Sequence, residues 1–471
     1  MVKKISAVLL VCLSFIACAT LAYAEVTFDG GFDLRLRQEI WDNVVDLGTL
    51  GNLVTSNASG FNDRDFFRFR TRLWGEMDVN KDFSAYLRIA NEWKYYLGPY
   101  ELNSQNLQED ELVVDNLYFK SDKIYGSPFS LKVGRQDFLG ADMYGEGFLL
   151  MDGTPGDGSR TFYFNAARLR ANISQYTDNN TVDFVFIDDP RTDTFFPSWH
   201  TAVGPSTFYV DNKQILTASH EQALMVYSRN KFADTLNLEP YYIYKKENPV
   251  GTTPGDHLST FGARGTASLG GWNFGGEFAH QFGDFNNGQP RQGNGGYAFF
   301  GRNYDDLTFK PGFEFRYVYL SGNENAKNPD KNATDTTWDP LFSRNPYWNE
   351  LFIYTLIPET SKYNSLAVPG YWSNLKLLMV KFKFDFTPKT NLVMTYQHLW
   401  AAEPTNITGP FAPMFSNSGT DRGHLPTAIL SQKIAKNLDG FLQLEYFVPG
   451  NFYADTARNA TFFRWQLRYT F

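Results

Sequence analysis

The chain has 471 residues, of which 17% are aromatic and 20% charged, and its formal net charge is −8 at pH 7. This acidic balance argues against a nucleic-acid partner, because such partners are bound mainly through an excess of Lys and Arg. The only cysteines, Cys12 and Cys18, lie near the N-terminus, so the rest of the chain can form no disulfide framework, thiolate nucleophile or cysteine metal site.

Residues 1–24 have the features of a cleaved secretory signal peptide. Lys3 and Lys4 form a positive region, residues 5–21 are mostly apolar, and residues 22–24 match an A-x-A cleavage site. A retained membrane helix is disfavoured because no stop-transfer charges follow the apolar run. A lipoprotein signal is disfavoured because Phe stands where lipoboxes carry Leu. We expect cleavage after residue 24, which leaves residues 25–471 as one domain.

From residue 25 onward the dominant pattern is alternation of apolar and polar residues, which predicts strands with one face of each kind. No later run of 18 apolar residues predicts a spanning helix. The predicted strands are 32–42, 65–79, 83–95, 112–120, 128–138, 158–173, 181–188, 220–229, 235–246, 257–269, 272–284, 295–304, 309–321, 373–387, 391–402, 423–434, 440–448 and 460–471. We therefore predict an all-β, 18-stranded fold.

The connections between these strands alternate in length. The short connections are 80–82, 270–271, 305–308, 388–390 and 435–439, and the long ones are 43–64, 96–111, 139–157, 189–219, 322–372 and 403–422. Short periplasmic turns and long extracellular loops are typical of an antiparallel outer-membrane β-barrel. Loops 139–157 and 322–372 are rich in aromatic residues, including Tyr347 and Trp348, so we expect them to fold over the mouth or into it.

The last strand supports insertion in the outer membrane. Phe463, Trp465, Leu467, Tyr469 and Phe471 share one face. A final strand that ends in Phe, with an aromatic residue two positions earlier, resembles the signal read by the barrel-assembly machinery. The expected partners are therefore the outer-membrane lipid bilayer and, through Phe471, that machinery. A secreted sandwich or propeller is the soluble alternative, but it needs no charges on its enclosed face.

Strand parity places the charged face inside the barrel, where basic residues outnumber acidic ones. The candidate pore-lining residues are Arg35, Arg37, Arg68, Arg70, Arg72, Arg88, Arg168, Arg170, Arg264, Arg316, Lys381, Lys383, Arg464 and Arg468. Arginine binds carboxylates through a planar fork that stays charged at any working pH. We expect Arg68, Arg70 and Arg72 to form an anion-binding ladder of weak, hydrated sites. The alternative is that these arginines only pair with lumen acids and hold the wall together.

Catalytic and cofactor motifs do not stand out. The six histidines are scattered without an H-x-x-x-H pair, there is no G-x-x-x-x-G-K phosphate loop, and the glycine-rich stretch 152–158 fails the EF-hand spacing. We therefore expect no enzyme activity, no cofactor and no metal site.

Taken together, the motifs resemble the alginate export family of outer-membrane porins. The matching stretches are 67–73 (FRFRTRL), 131–138 (LKVGRQDF), 152–164, 259–267 (STFGARGTA), 310–322 (KPGFEFRYVYLSG), 339–342 (DPLF), 396–403 (YQHLWAAE), 448–452 (VPGNF) and 460–462. The resemblance implies an 18-stranded barrel whose arginine-rich lumen passes a polyuronate. It also adds Arg135 to the candidate pore-lining residues, although parity puts Arg135 on the side of Val133.

Three functional interpretations remain open. The first is export of an anionic polysaccharide, and the second is a general or anion-preferring uptake porin unrelated to alginate. A structural or adhesin barrel with a plugged lumen is the third.

Overall fold

A computed structural model gives the structure of the chain. It describes residues 26–49, 63–98, 106–151, 163–174, 180–196, 209–210, 213–214, 217, 219–233, 235–249, 254–326, 333–343, 373–408 and 412–471. The predicted signal peptide, Tyr347 and Trp348 lie outside these residues. Within them, no helix is both long and apolar enough to cross a bilayer.

The described chain folds into a barrel of antiparallel strands. The strands are β1 (Thr27–Asp42), β2 (Arg64–Asn80), β3 (Phe83–Tyr96), β4 (Leu107–Ser121), β5 (Phe129–Gln136), β6 (Phe164–Asn172), β7 (Thr181–Asp189), β8 (Tyr209–Val210), β9 (Lys213–Gln214), β10 (Glu221–Ala233), β11 (Leu236–Glu247), β12 (Asp256–Leu269), β13 (Trp272–Phe285), β14 (Pro290–Asn303), β15 (Gly312–Leu320), β16 (Leu375–Thr387), β17 (Thr390–Trp400), β18 (Asp421–Lys433), β19 (Leu438–Pro449) and β20 (Ala460–Thr470). Strands β8 and β9 form a separate hairpin, and the other 18 form one sheet.

The sheet closes on itself because β1 pairs with β2 on one side and with β20 on the other. The closing ladder runs from Asp33 opposite Thr470 to Asp42 opposite Thr461. Closure leaves no strand edge to be satisfied in lipid. The predicted 18-stranded antiparallel barrel is confirmed.

The two ends of the barrel differ in their connections. Tight turns join β2 to β3 and β12 to β13 at one end, where β1 also begins and β20 ends. The longest connections, such as 321–374 between β15 and β16, lie at the other end. By the rule for outer-membrane barrels, the tight-turn end is periplasmic and the long-loop end is extracellular. The connection 286–289 is an exception, since it is short but extracellular.

The two faces of the wall have opposite chemistry. Outward residues such as Leu73 (56% exposed) and Phe119 (49%) present apolar side chains to the surroundings. Inward neighbours such as Arg35 and Arg37 are buried within the barrel. A lipid-facing wall requires this arrangement, because hydrocarbon cannot solvate charge whereas the lumen can.

Two connections fold inward and fill much of the extracellular half of the lumen. The first, residues 137–151, follows β5, and we call it the inner loop. Its Phe138, Tyr144 and Phe148 are buried. The second, residues 333–343, lies in the β15–β16 connection, and we call it the mouth segment; its Trp338 and Phe342 are also buried. The backbone N–H of Phe342 donates to the carbonyl of Leu150 at 2.9 Å, which joins the two segments. The predicted inward folding is confirmed for these described parts.

Candidate functional site

Six arginines on β1, β2 and β20 gather at mid-height of the lumen around three carboxylates. The arginines are Arg35, Arg37, Arg68, Arg70, Arg72 and Arg464, and the carboxylates are Asp33, Glu39 and Glu92. We call this group of nine residues the basic wall. Its formal charge is positive, because the arginines outnumber the carboxylates two to one. All but Asp33 and Arg72 are almost completely buried, so these are not the weakly held, hydrated pairs that the sequence suggested.

Glu39 and Glu92 are the centres of this group. The Glu39 carboxylate accepts from Arg68 Nη1 at 2.8 Å, from Arg464 Nη2 at 3.1 Å and from Arg37 Nη1 at 3.3 Å. The Glu92 carboxylate lies 3.3 Å from Arg68 Nε and 3.5 Å from Arg35 Nη2. Buried charges persist only when they are paired and hydrogen-bonded, so these contacts hold the arginines inside the wall.

Arg70 and Arg72 lie at the periplasmic side of the basic wall. Arg70 Nη2 donates to Asp33 Oδ1 at 2.8 Å. The buried Nε of Arg72 has no hydrogen-bond partner among the described residues. An arginine of this kind still has capacity to bind a carboxylate from outside the protein.

Around Arg88 on β3, in contrast to the basic wall, carboxylates outnumber arginines. The Arg88 guanidinium on β3 lies 2.9 Å from an Asp115 oxygen on β4 and 2.7 Å from an Asp137 oxygen in the inner loop. Burial raises the pKa of the Asp137 carboxyl, an effect that Arg88 only partly offsets. Arg88 is therefore saturated by two carboxylates and links the basic wall to the base of the inner loop.

The inward faces of β5 to β15 hold the inner loop, and we call them the tethered wall. Asp142 in the loop binds Arg168, and lies 3.5 Å from both Lys132 and Arg170. Burial would raise the pKa of Asp142, but these three cations together hold it below its ordinary value. The loop is thus anchored by a carboxylate that stays ionised in moderately acidic conditions.

Glu146 anchors the far end of the same loop. Its carboxylate lies 2.5 Å from Arg316 Nη1 on β15 and 3.8 Å from Arg264 Nη2 on β12. Arg264 also reaches Glu239 on β11 at 3.3 Å. Glu146 therefore joins the loop directly to β12 and β15, and Arg264 extends the connection to Glu239 on β11.

Tyrosines and a further arginine complete the anchoring. The Tyr144 hydroxyl donates to Asp183 Oδ2 at 3.0 Å, and the backbone N–H of Gly145 donates to the Tyr227 hydroxyl at 3.0 Å. Arg229 Nη2 donates to the carbonyl of Met143 at 2.8 Å, and its Nη1 lies 2.8 Å from Asp183. Arg229 was not among the predicted residues, because the apolar inward neighbours of β10 obscured its parity.

The mouth segment is held by two further cations that the sequence did not single out. Arg291 on β14 binds Asp256 and lies 3.2 Å from Asp339. Lys245 on β11 donates to the carbonyl of Leu341 at 2.6 Å. The predicted strand began at residue 295 whereas β14 begins at Pro290, which explains the omission of Arg291. Lys245 shares its parity with Glu239 and could have been found from the sequence.

Arg135 does not point into the lumen with the others. It pairs in register with Leu117 and Asn165, whereas its neighbours Lys132 and Gln136 have the inward parity. Its Nη1 donates to the carbonyl of Val114 at 2.8 Å. The expectation that Arg135 lines the pore is therefore not met, since its guanidinium instead satisfies the backbone of β4 where β5 ends.

The surroundings of Arg135 form a clamp at the extracellular rim. Its guanidinium lies 2.9 Å from Asp193 and over the rings of Tyr163 and Phe196, at 3.9 and 4.7 Å. The preceding Gly134 has φ of +132°, and a Cβ there would meet the carbonyl oxygen of Leu117 at 2.3 Å. The Gly-Arg-Gln motif thus allows the chain to leave the wall and enter the lumen.

The remaining candidates lie toward the periplasmic end. Lys381 pairs with Glu314 at 3.0 Å, Lys383 with Asp385 at 3.0 Å, and Arg468 with Asp439 at 3.1 Å. Beside them a cleft of about 970 Å³ is lined by β16–β20 and their turns. Its lining includes Gln466, whose side-chain oxygen accepts from Arg37 at 2.6 Å. The cleft therefore leads from the periplasmic end to the basic wall.

Solved structures with the same fold are outer-membrane proteins. Acinetobacter baumannii OccAB1 is 11% identical, with a TM-score of 0.55, and the alignment covers 94% of this chain and 96% of that one. Pseudomonas aeruginosa OccK8 (OprE) is 12% identical with a TM-score of 0.55, and OccK2 (OpdF), solved in complex with glucuronate, is 12% identical with a TM-score of 0.54; each alignment covers 94% of this chain and 98% of that one. These similarities concern the fold alone.

At the sequence level, no curated protein matches the chain significantly. The family profile described as alginate export matches residues 209–466, which is more than half of the chain. The match does not reach the stretches 67–73 and 131–138, where the basic wall and the Gly-Arg-Gln motif lie. With a closed barrel, a charged lumen and this profile, the chain belongs to the alginate export family of outer-membrane porins.

Proposed function

We propose that this porin conducts anions and that its substrate is an anionic saccharide chain. The observation that carries the proposal is the basic wall, in which five of the six arginines pair with Asp33, Glu39 or Glu92 inside a chain of net acidic charge. Arg72, at the periplasmic end of this group, has a buried guanidinium Nε–H without a hydrogen-bond partner among the described residues.

The proposed mechanism is hand-off between arginines. Fixed charge in a channel with low-dielectric walls concentrates counter-ions. A chain with a carboxylate on each sugar meets a new guanidinium as it advances, and conduction needs each site to bind weakly enough for release. The protein's own carboxylates weaken each arginine site, because Glu39, Glu92 and Asp33 compete with the substrate for the same N–H groups.

The comparisons support the substrate class. The family is described by alginate export, and the structurally similar OccK2 was solved with glucuronate, a sugar carboxylate. The inner loop and mouth segment occupy the extracellular half of the lumen, so passage of a saccharide chain requires their displacement. A polyanion that competes for Arg316 or Arg168 would assist this displacement.

The test measures the reversal potential of the native protein in a salt gradient across a planar bilayer. Blockade of the current by added oligosaccharides is then measured. We expect anion selectivity, and we expect oligouronates to block the current where neutral oligosaccharides of equal length do not. Cation selectivity in the native protein would contradict the proposal. Anion selectivity without blockade by oligouronates would favour the alternative, an anion-preferring uptake porin unrelated to alginate.

Two further proposals concern removal of the signal peptide and insertion of the barrel into the outer membrane. We infer that the chain is cleaved after residue 24 and that the barrel-assembly machinery recognises the strand ending in Phe471. Mass spectrometry of the protein purified from outer membranes would then give an N-terminus at Glu25. Deleting Phe471 should reduce the amount of folded barrel in the membrane, whereas changing the outward Phe28 to Leu should leave it unchanged.

A further inference from the structure

Three aromatic side chains lie side by side on the inward face of β2, β3 and β4, below the basic wall. Trp74 and Tyr86 have ring centroids 6.2 Å apart with an interplanar angle of 16°, and Tyr86 and Tyr118 have centroids 5.0 Å apart at 13°. The three rings are thus nearly parallel, and each is half-buried. We call them the aromatic ribbon.

Register and parity place the aromatic ribbon in the lumen. Trp74 follows Arg72 at the next inward position of β2 and pairs in register with Arg88 on β3. On its other side it pairs with Gly31 of β1, where a Cβ would meet two indole atoms at 2.8 and 2.9 Å. The missing side chain at Gly31 leaves the room that the indole occupies.

Aromatic rings on a polar, water-facing surface are unusual enough to call for an explanation. Lipid contact, which accounts for the aromatic residues of the outer face, does not apply to this inward face. The described inner loop covers the wall higher up, yet it leaves these rings half-buried. The Nζ of Lys132 lies over the Tyr118 ring at 4.1 Å, so a cation already uses the π-face at one end.

We propose that the aromatic ribbon is a stacking platform for the sugar rings of an anionic saccharide chain. The C–H groups on one face of a pyranose carry slight positive charge and stack on the negative face of an aromatic ring. Arg72, two positions along β2, lies within reach of the carboxylate of the same sugar or the next. The ribbon thus recognises the sugar and the basic wall recognises its charge.

This inference rests on the proposed function and makes it narrower, because small inorganic anions gain nothing from stacking. Its test is the residence time of an alginate hexasaccharide in single-channel recordings of the native protein and of Trp74→Leu/Tyr86→Leu. We expect the residence time to fall about tenfold, which is the lower end of the loss seen when a nucleic-acid base loses its aromatic stacking partner. Chloride selectivity should stay unchanged, because no charge is altered.

Two further variants separate stacking from structural damage. Trp74→Phe/Tyr86→Phe keeps the π-faces and should retain most of the residence time. Trp272→Leu removes an indole from the outward face, where it stacks with Phe274 and meets Phe313 edge-on, and should have no effect on residence. Native-like residence in the Leu double variant, or an equal loss in the Phe double variant, would overturn the ribbon proposal alone. Absence of any block in the native protein would overturn the proposed function and the ribbon with it.

Discussion

The two walls of the lumen use arginine for different purposes. On the tethered wall, Arg168 and Arg316 are neutralised by Asp142 and Glu146, which belong to the inner loop. On the basic wall, Arg68 and Arg464 are held by Glu39, which belongs to the wall itself. The first set of contacts ties the inner loop to the wall, whereas the second set joins residues of the wall to one another.

This difference separates gating from selectivity. Acids of the inner loop pair with Arg168 and Arg316, and wall carboxylates such as Asp183 and Glu239 pair with other arginines of the tethered wall. These arginines therefore contribute less to the lumen field while the loop is in place. The basic wall keeps its excess in either state, because its three carboxylates cannot leave. We therefore assign selectivity to the basic wall and restriction of flow to the tethered wall.

Removing the inner loop should have the largest effect on conductance. Replacing residues 139–149 with a short Gly-Ser linker opens the extracellular half of the lumen and exposes Arg168, Arg170 and Arg316. We expect single-channel conductance to rise severalfold and anion selectivity to rise with it. Conductance equal to that of the native protein would show that the loop does not restrict flow. The double variant Asp142→Asn/Glu146→Gln, which cuts the anchors but keeps the loop, should give intermittent rather than permanent opening.

Neutralising the far anchor should cost stability. Glu146→Gln removes one carboxylate from the buried Arg316, whose Nε still lies 3.0 Å from Glu314, and losing a hydrogen bond between charged groups costs about 2 kcal/mol. We expect the midpoint of denaturant unfolding in detergent to fall accordingly. Asp305→Asn removes a carboxylate from an exposed periplasmic turn and serves as the control with no expected change. A stable Glu146→Gln variant would mean that the anchor is not a structural one.

Gly134→Ala tests the point where the chain leaves the wall for the lumen. A Cβ at φ +132° would collide with the carbonyl of Leu117, so we expect a loss of about 2 kcal/mol in unfolding free energy. Gly288→Ala is a matched control, since it also has positive φ but has nothing within 4 Å of the added Cβ. If the two variants lose the same stability, backbone strain alone accounts for the effect and the close packing of β5 against β4 does not.

Acid should release the inner loop only at low pH. The cations around Asp142 hold its pKa below the ordinary value of 3.8, so the anchor is fully present above that pH and is lost as the pH falls through the lower folded value. Because Asp142 stays ionised in this range, we expect it to cause no change in conductance from pH 7 to about 4.5. A small rise in conductance should follow below pH 3.8, and Asp142→Asn should abolish that rise. A rise near pH 6 that survives in Asp142→Asn would assign the change to other groups.

Much of the fold could be predicted from the sequence because a lipid-facing wall imposes strict alternation. All 18 strands were found near their true positions, and the arginines of β1, β2 and β20 were placed in the lumen by parity alone. The prediction was weakest where the lumen is filled by protein. Inward residues of β10 such as Met225 and Tyr227 are apolar because they face the inner loop, so both faces of that strand are apolar and parity loses its meaning.

The partners of the arginines could not be predicted in the same way. Asp142 and Glu146 lie in a connection whose path depends on tertiary packing, and no local pattern relates Glu146 to Arg316, which is distant in sequence. For Arg135, strand parity and family resemblance gave different predictions. Its parity placed it on the side of Val133, while the family resemblance suggested that it lines the pore; in the structure its guanidinium bonds the backbone of β4.

The most direct test of this division compares the reversal potentials of two triple variants in the same salt gradient. Arg68→Gln/Arg70→Gln/Arg72→Gln removes charge from the basic wall, and Arg168→Gln/Arg170→Gln/Arg316→Gln removes the same charge from the tethered wall. Arg302→Gln, which removes an outward guanidinium beside Trp272, controls for charge outside the lumen. We predict that anion selectivity is lost or reversed in the first variant and largely retained in the second. An equal loss in both variants, or a greater loss in the second, would contradict the assignment of selectivity to the basic wall.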